Sequence, residues 1–138
     1  DYYASRGLGD VYKRQQLYNQ GGDGVWVDEI MTWVAQSNDA LKYEFLYYMS
    51  DSLIHGTRGY LQIPNDKLVL GLPANRDAAG SGYVVEATPV AKTFDQLAKD
   101  GNPIRGLMTW SANWDVGQDV NGKSYNNEFA TRYSNLVK

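Results

Sequence analysis

The sequence predicts an α/β fold with parallel strands and flanking helices, and three observations predict it. Residues 67–72 (KLVLGL) form a short apolar run without alternation, as suits a parallel strand covered on both faces. Residues 104–111 (IRGLMTWS) form another run of strand length, and segments with helical spacing lie between and after the two. Long loops carrying polar and aromatic residues follow the strands, and shorter ones precede them. Strands alternating with helices call for a parallel sheet with right-handed crossovers. In a closed barrel of this kind the chemistry sits in the loops after the strands. In the alternative, a doubly wound open sheet, ligands sit outside the same strand ends. No G-x-G-x-x-G follows a strand, so no dinucleotide site is implied.

Taken in order, residues 16–19 (QLYN) read as the end of a strand. Residues 20–36 read as a loop with Gly21, Gly22 and Gly24, and with a helical turn somewhere in 27–34. Residues 38–55 read as a helix. Ser37 or Asn38 can cap it, and Leu41, Phe45, Tyr48, Met49 and Leu53 recur at three- and four-residue steps. Gly56 stops it. A loop over 57–64 leads to the 67–72 strand, which Pro73 ends. After a loop over 74–83, Thr88 caps a second helix with Pro89 at its first position. Val90, Phe94, Leu97 and Ala98 form its inner stripe, Gly101 closes it and Pro103 prevents continuation. The 104–111 strand, a loop over 112–124 and a last helix over about 125–137 complete the chain.

Composition narrows the function classes. The 138 residues carry a net charge of −3, so the basic stripe that replaces phosphate counterions is missing and no nucleic-acid partner is implied. No apolar run approaches the ~20 residues of a membrane span. The absence of cysteine excludes disulfides and thiolate metal sites. No residue pattern calls for a cofactor or a metal ion. The composition is aromatic, with eleven Tyr, four Trp and three Phe, which suits either core packing or a cleft that stacks on sugar rings.

Three segments, QLYN at 16–19, KLVLGLPAN at 67–75 and GLMTWSANWD at 106–115, together resemble the bacterial chitinases of glycoside hydrolase family 18. The stretch FLYYMSDSLIHGTRGY at 45–60 is similar to the helix and loop after the sixth strand of that family. The resemblance covers 16–138. It implies a partial TIM (β/α)8 barrel made of the last three βα units, with the segments as strands six, seven and eight. A full barrel takes ~250 residues.

The resemblance also implies a chemistry. In this family the sugar's own N-acetyl oxygen attacks the anomeric carbon while a glutamic acid protonates the leaving oxygen, an exception to the two-carboxylate scheme. The acid belongs to a D-x-x-D-x-D-x-E motif that this sequence does not contain, so no catalytic residue is expected here. Gln16, Tyr18 and Asn19 match the sixth-strand motif. Tyr18 would then bond the acetamido group, Asn19 would stand where many relatives carry Asp, and Gln16 would sit beside them. Trp110 matches the tryptophan that floors the central sugar subsite. Met108, two residues earlier, and Asn75, after the seventh strand, are candidates for lining the cleft. Without the resemblance, the alternatives are a packed strand end for Tyr18 and a core position for Trp110.

The implied parent is a secreted, monomeric chitinase acting on chitin or chitooligosaccharides by substrate-assisted, retaining hydrolysis, with no nucleic-acid or membrane partner. The alternative is a non-catalytic chitin-binding, lectin-like member of the same fold. Packing is as good a reading as sugar stacking for Trp26, Trp33 and Trp114. Asp115 reads as a loop cap, and His55 as a surface residue favourable to a helix C-terminus. Residues 1–15 show neither strand alternation nor a clear helical face. They read as a non-native leader, similar to translated adaptor read-through, ahead of a barrel fragment over 16–138.

Overall fold

A computed structural model of the chain describes residues 12–136. Three strands, β1 (Lys13–Gln16), β4 (Leu68–Pro73) and β5 (Gly106–Trp110), pair in parallel in the order β1-β4-β5. Between β1 and β4 lie an antiparallel hairpin of β2 (Gly24–Val27) and β3 (Thr32–Ala35), then helix α1 (Lys42–His55). Helix α2 (Thr88–Lys99) connects β4 to β5, and two short helices follow, α3 (Ala112–Val116) and α4 (Glu128–Tyr133).

The register divides the sheet into two faces. Gln16 lies opposite Gly71, and Gly71 opposite Met108, while Pro73 lies opposite Trp110. One face therefore carries Arg14, Gln16, Val69, Gly71, Met108 and Trp110. The other carries Leu68, Leu70 and Leu72, which are buried in a core with Phe45, Leu46 and Met49 of α1 and Val90 and Leu97 of α2. Each fully buried leucine contributes roughly 1.5–3 kcal/mol relative to exposure. Covering this face with helices is what makes β4 read as an unbroken apolar run.

Helix α1 forms where periodicity places it. The Asn38 side chain accepts the Leu41 N–H at 3.2 Å in a short 3-10 turn, and Gly56 ends the helix at φ 65. Helix α2 begins at Thr88 itself, with Pro89 in its first turn, so Ala87 rather than Thr88 holds the cap position. Ala98, expected on the inner stripe, is exposed, and Thr93 is buried in its place.

Several local expectations differ. Residues 20–36 hold a hairpin rather than a loop with a helical turn, and only Asp28–Ile30 is helical, as a 3-10 turn. The reason is a period of two: Val25, Val27 and Val34 point inward and Trp26 and Trp33 outward. Residues 112–116 are helical, whereas the last helix is shorter than expected, because Asn126 and Asn127 hold positive φ just before it. Part of the presumed leader, 1–11, lies outside the described residues. Lys13, Arg14 and Gln15 belong to β1, where pairing uses backbone groups that any non-proline residue supplies.

Candidate functional site

The loops after β1, β4 and β5 meet at the carboxyl end of the sheet, and the sequence-selected residues sit there. Gln16 ends β1, and the Leu17 N–H continues the ladder to the Gly71 carbonyl at 3.0 Å. Tyr18 follows, and Trp110 ends β5 two strands away on the sheet's uncovered face. Two strand spacings put their backbones about 10 Å apart.

Tyr18 is 5% exposed, and burial raises the pKa of its phenol. The hydroxyl therefore stays protonated and a donor at neutral pH. It has no hydrogen-bond partner among the described residues. Gly82 packs closely against the Tyr18 backbone. A β-carbon there would stand 2.5 Å from the Leu17 carbonyl oxygen and 2.8 Å from the Tyr18 Cα, and φ is +95, so only glycine fits. Trp110 is 52% exposed, its indole presented to solvent while its carbonyl accepts the Ala74 N–H at 2.9 Å.

The other candidates are more tied down. Asn19 holds φ 61, and its Oδ1 accepts the Gly80 N–H at 2.7 Å, while its own N–H donates to the Ser81 carbonyl at 3.2 Å. It thus clamps the loop after β4 onto the end of β1 and leaves its amide NH2 to face outward. Gln16 donates from Nε2 to the Tyr18 carbonyl at 3.1 Å, which fixes the backbone that carries the phenol. Met108 is half-buried, and its methyl group fills the space left by Gly71, where a β-carbon would come within 2.8 Å. Asn75 is buried. Its Nδ2 donates to the Trp114 carbonyl at 2.6 Å, and its Oδ1 accepts the N–H groups of Asp77 and Ala78 at 3.0 Å each. Its side chain holds the loops after β4 and β5 together.

Asp115 caps α4, accepting the Phe129 N–H at 2.8 Å and the Ala130 N–H at 3.1 Å. His55 lies on the surface 3.4 Å from Asp51. Among the described residues no group of three or more His, Cys, Asp or Glu side chains could hold a metal ion. No helix of the described chain is long and apolar enough to cross a membrane. A cavity of about 800 Å³ opens between the loop after β4 and the chain after β5, but Tyr18 and Trp110 do not line it. Tyr125 there donates to Asp77 at 2.6 Å, which pushes its pKa up to about 12.

Sequence reasoning missed Gln36. This buried residue accepts the Gln20 N–H at 3.0 Å and the Ser81 hydroxyl at 3.3 Å through one oxygen, and its carbonyl takes the ammonium of buried Lys42 at 2.5 Å. Desolvation lowers the Lys42 pKa, and Asp39 at 3.7 Å opposes that shift. These bonds join the hairpin, the start of α1 and the loop that clamps Asn19. A glutamine in a loop-like stretch gives no local signal of such distant bonds.

The chain is 98% identical over 127 residues, 92% of its length, to a protein named Chitinase from Enterococcus faecalis, of which it covers 36%. It is 31% identical over 131 residues to Endochitinase 4 of Metarhizium robertsii, covering 34% of that protein. Among solved structures it is similar to a family GH18 chitinase from Chromobacterium violaceum, with a TM-score of 0.61 and 27% identity, over 93% of this chain and 36% of that one. No protein-family model matches. The chain spans about a third of the length of these relatives. The parallel strands and helices agree with the expected part of a barrel.

Proposed function

We propose, for a chain whose sequence and fold are those of a stretch of a family 18 chitinase, that it supplies the acetamide-holding side of a chitin-hydrolysing site. One observation carries this reading. Tyr18 presents a buried, protonated phenol without a partner among the described residues just past the carboxyl end of β1, and Trp110 presents an exposed indole at the carboxyl end of β5 in the same sheet.

The chemistry follows from that pair. The carbonyl oxygen of the substrate's 2-acetamido group attacks C1, the C1–O glycosidic bond breaks, and the leaving oxygen takes a proton from an acid. Tyr18 donates a hydrogen bond to the acetamido group and holds it in the attacking rotamer, which is the orientational part of catalysis. Trp110 floors the sugar ring, Asn19 offers its outward NH2 to the sugar, and Gln16 fixes the Tyr18 backbone. Water then opens the oxazolinium from the same side as the departed group, so configuration is retained. The acid is not in this sequence. Residues 16–138 form the C-terminal part of the barrel, and the chain alone is inactive. The whole enzyme is a secreted monomer acting on chitin. Genomic sequence upstream tests these points together: no acid motif ahead of the chain would remove them.

The direct test is Tyr18→Phe in the complete enzyme. We expect kcat on N-acetylglucosamine oligomers to fall on the order of 10²-fold, with KM little changed. Trp110→Ala should raise KM instead. An unchanged kcat in Y18F would defeat the proposal. The second reading is a lectin-like, non-catalytic member of the same fold. It predicts binding of the oligomers without turnover by the complete protein.

A further inference from the structure

Gln36 occupies a place where the sequence pattern calls for an apolar side chain. In β3 the buried residue is Val34, and a period of two puts Gln36 on the same inward side. Gln36 is 2% exposed. A buried amide costs stability unless it is hydrogen-bonded, so what the glutamine contributes lies in its bonds.

Those bonds close a bracket around Asn19. The Gln36 Oε1 accepts the N–H of Gln20, next along the chain from Asn19, at 3.0 Å, and the Ser81 hydroxyl at 3.3 Å. The Ser81 carbonyl in turn accepts the Asn19 N–H at 3.2 Å, and the Gly80 N–H donates to the Asn19 Oδ1 at 2.7 Å. One buried oxygen therefore ties the chain after β1 to the loop after β4. Gly82 follows Ser81, and a β-carbon on it would stand 2.9 Å from the Tyr18 Cβ. The loop that Gln36 holds is thus the loop that packs against Tyr18. The glutamine is itself anchored. Its N–H donates to the Asp23 carbonyl at 2.7 Å, and its carbonyl accepts the ammonium of buried Lys42, at the start of α1, at 2.5 Å. The neighbouring Ser37 hydroxyl donates to the Gly21 carbonyl at 3.0 Å. Fixed at its base to a hairpin and a helix, the amide passes their rigidity on to the loop.

We propose that Gln36 is a positioning residue for chitin hydrolysis: without touching the sugar, it holds the loop after β4 against Tyr18 and Asn19 and so fixes the direction in which the Tyr18 phenol meets the acetamido group. The role rests on the reading of Tyr18 above. The test is Gln36→Met in the complete enzyme, which keeps the bulk and removes the acceptor. Misplacing a reacting group by about 1 Å can cost ~10²-fold in rate, so kcat on N-acetylglucosamine oligomers should fall on the order of tenfold, with KM little changed. Ser81→Ala removes one of the two bonds at a half-buried hydroxyl. It should lose less and keep its melting temperature, and it serves where Q36M folds poorly. Two readouts separate positioning from stability alone. In a Y18F background, Q36M should add little to the loss already present. In protein labelled at the tyrosine Cζ carbon, the Tyr18 NMR signal should titrate at lower pH in Q36M than in wild type, with the Tyr133 signal unmoved. An unmoved Tyr18 titration would overturn the proposal. Where Y18F lowers kcat, so would a Q36M loss equally large with and without the phenol. If Y18F turns over normally while Q36M still moves the Tyr18 titration, the reaction reading fails and the positioning role stands.

Discussion

The two faces of the parallel sheet differ in what this chain places against them. On one, Leu68, Leu70 and Leu72 are buried against α1 and α2. On the other, the same strands present Gly71 under a half-buried Met108, and the exposed Gln16 and Trp110. The first face is filled by side chains that meet only each other. At its carboxyl end the second keeps a phenol free of internal partners and an indole in solvent. A site for a sugar needs that surplus of unmet groups, and the covered face provides the rigidity that holds them in place.

The largest effect that could break this contrast is a truncation on each face. Leu70→Ala removes a fully buried side chain and should cost about 2–5 kcal/mol in a denaturant or thermal melt. Met108→Ala removes a half-buried one and should cost about 1 kcal/mol, with the larger change in sugar affinity. Equal destabilisation would mean that the second face is core rather than site. Gly82→Ala comes next. The new methyl group meets the Leu17 carbonyl and the Tyr18 backbone at positive φ, so a loss of about 1–3 kcal/mol is expected, together with weaker oligosaccharide binding. A stable variant with unaltered binding would show that the loop after β4 does not position Tyr18.

The contrast also explains how much was legible in advance. The covered face announces itself in sequence, because consecutive apolar residues and helical spacing are local patterns. Helix α1, its Asn38 cap and its Gly56 stop follow from residues within a few positions of each other. The hairpin reads as a loop because glycines and acidic residues surround it, although the alternation of Val25, Trp26 and Val27 against Trp33 and Val34 carries the strand signal. The site was legible only through resemblance, and then only as a location. Neighbours in one motif divide the work: Tyr18 keeps its hydroxyl free, whereas Asn19 spends its carbonyl on Gly80, sixty-one residues away. Asn75 is saturated by Asp77, Ala78 and Trp114. Such distant bonds leave no trace in local spacing.

The smallest effect is a pH dependence. The leucines of the covered face do not titrate, but Tyr48 and Tyr133 in the core against them do. Tyr18 titrates as well, and burial raises its pKa in the folded protein above the value near 10 of an exposed tyrosine. Below that ordinary value both states hold the proton and Tyr18 adds no slope. Above it the unfolded chain loses the proton while the folded one retains it, so the unfolded state binds fewer protons and stability falls as pH rises. The loss grows by at most about 1.4 kcal/mol per pH unit until the folded pKa is passed. Burial also raises Tyr60 and Tyr133, so the wild-type slope sums several phenols. The informative quantity is the difference between wild type and Y18F in unfolding free energy, measured from pH 8 to pH 11. Y18F should track wild type at the lower end and lose stability less steeply at the upper end. Parallel curves throughout would mean that the Tyr18 phenol reaches water freely, and the pocket that sets it apart from the rest of its face would be lost with that result.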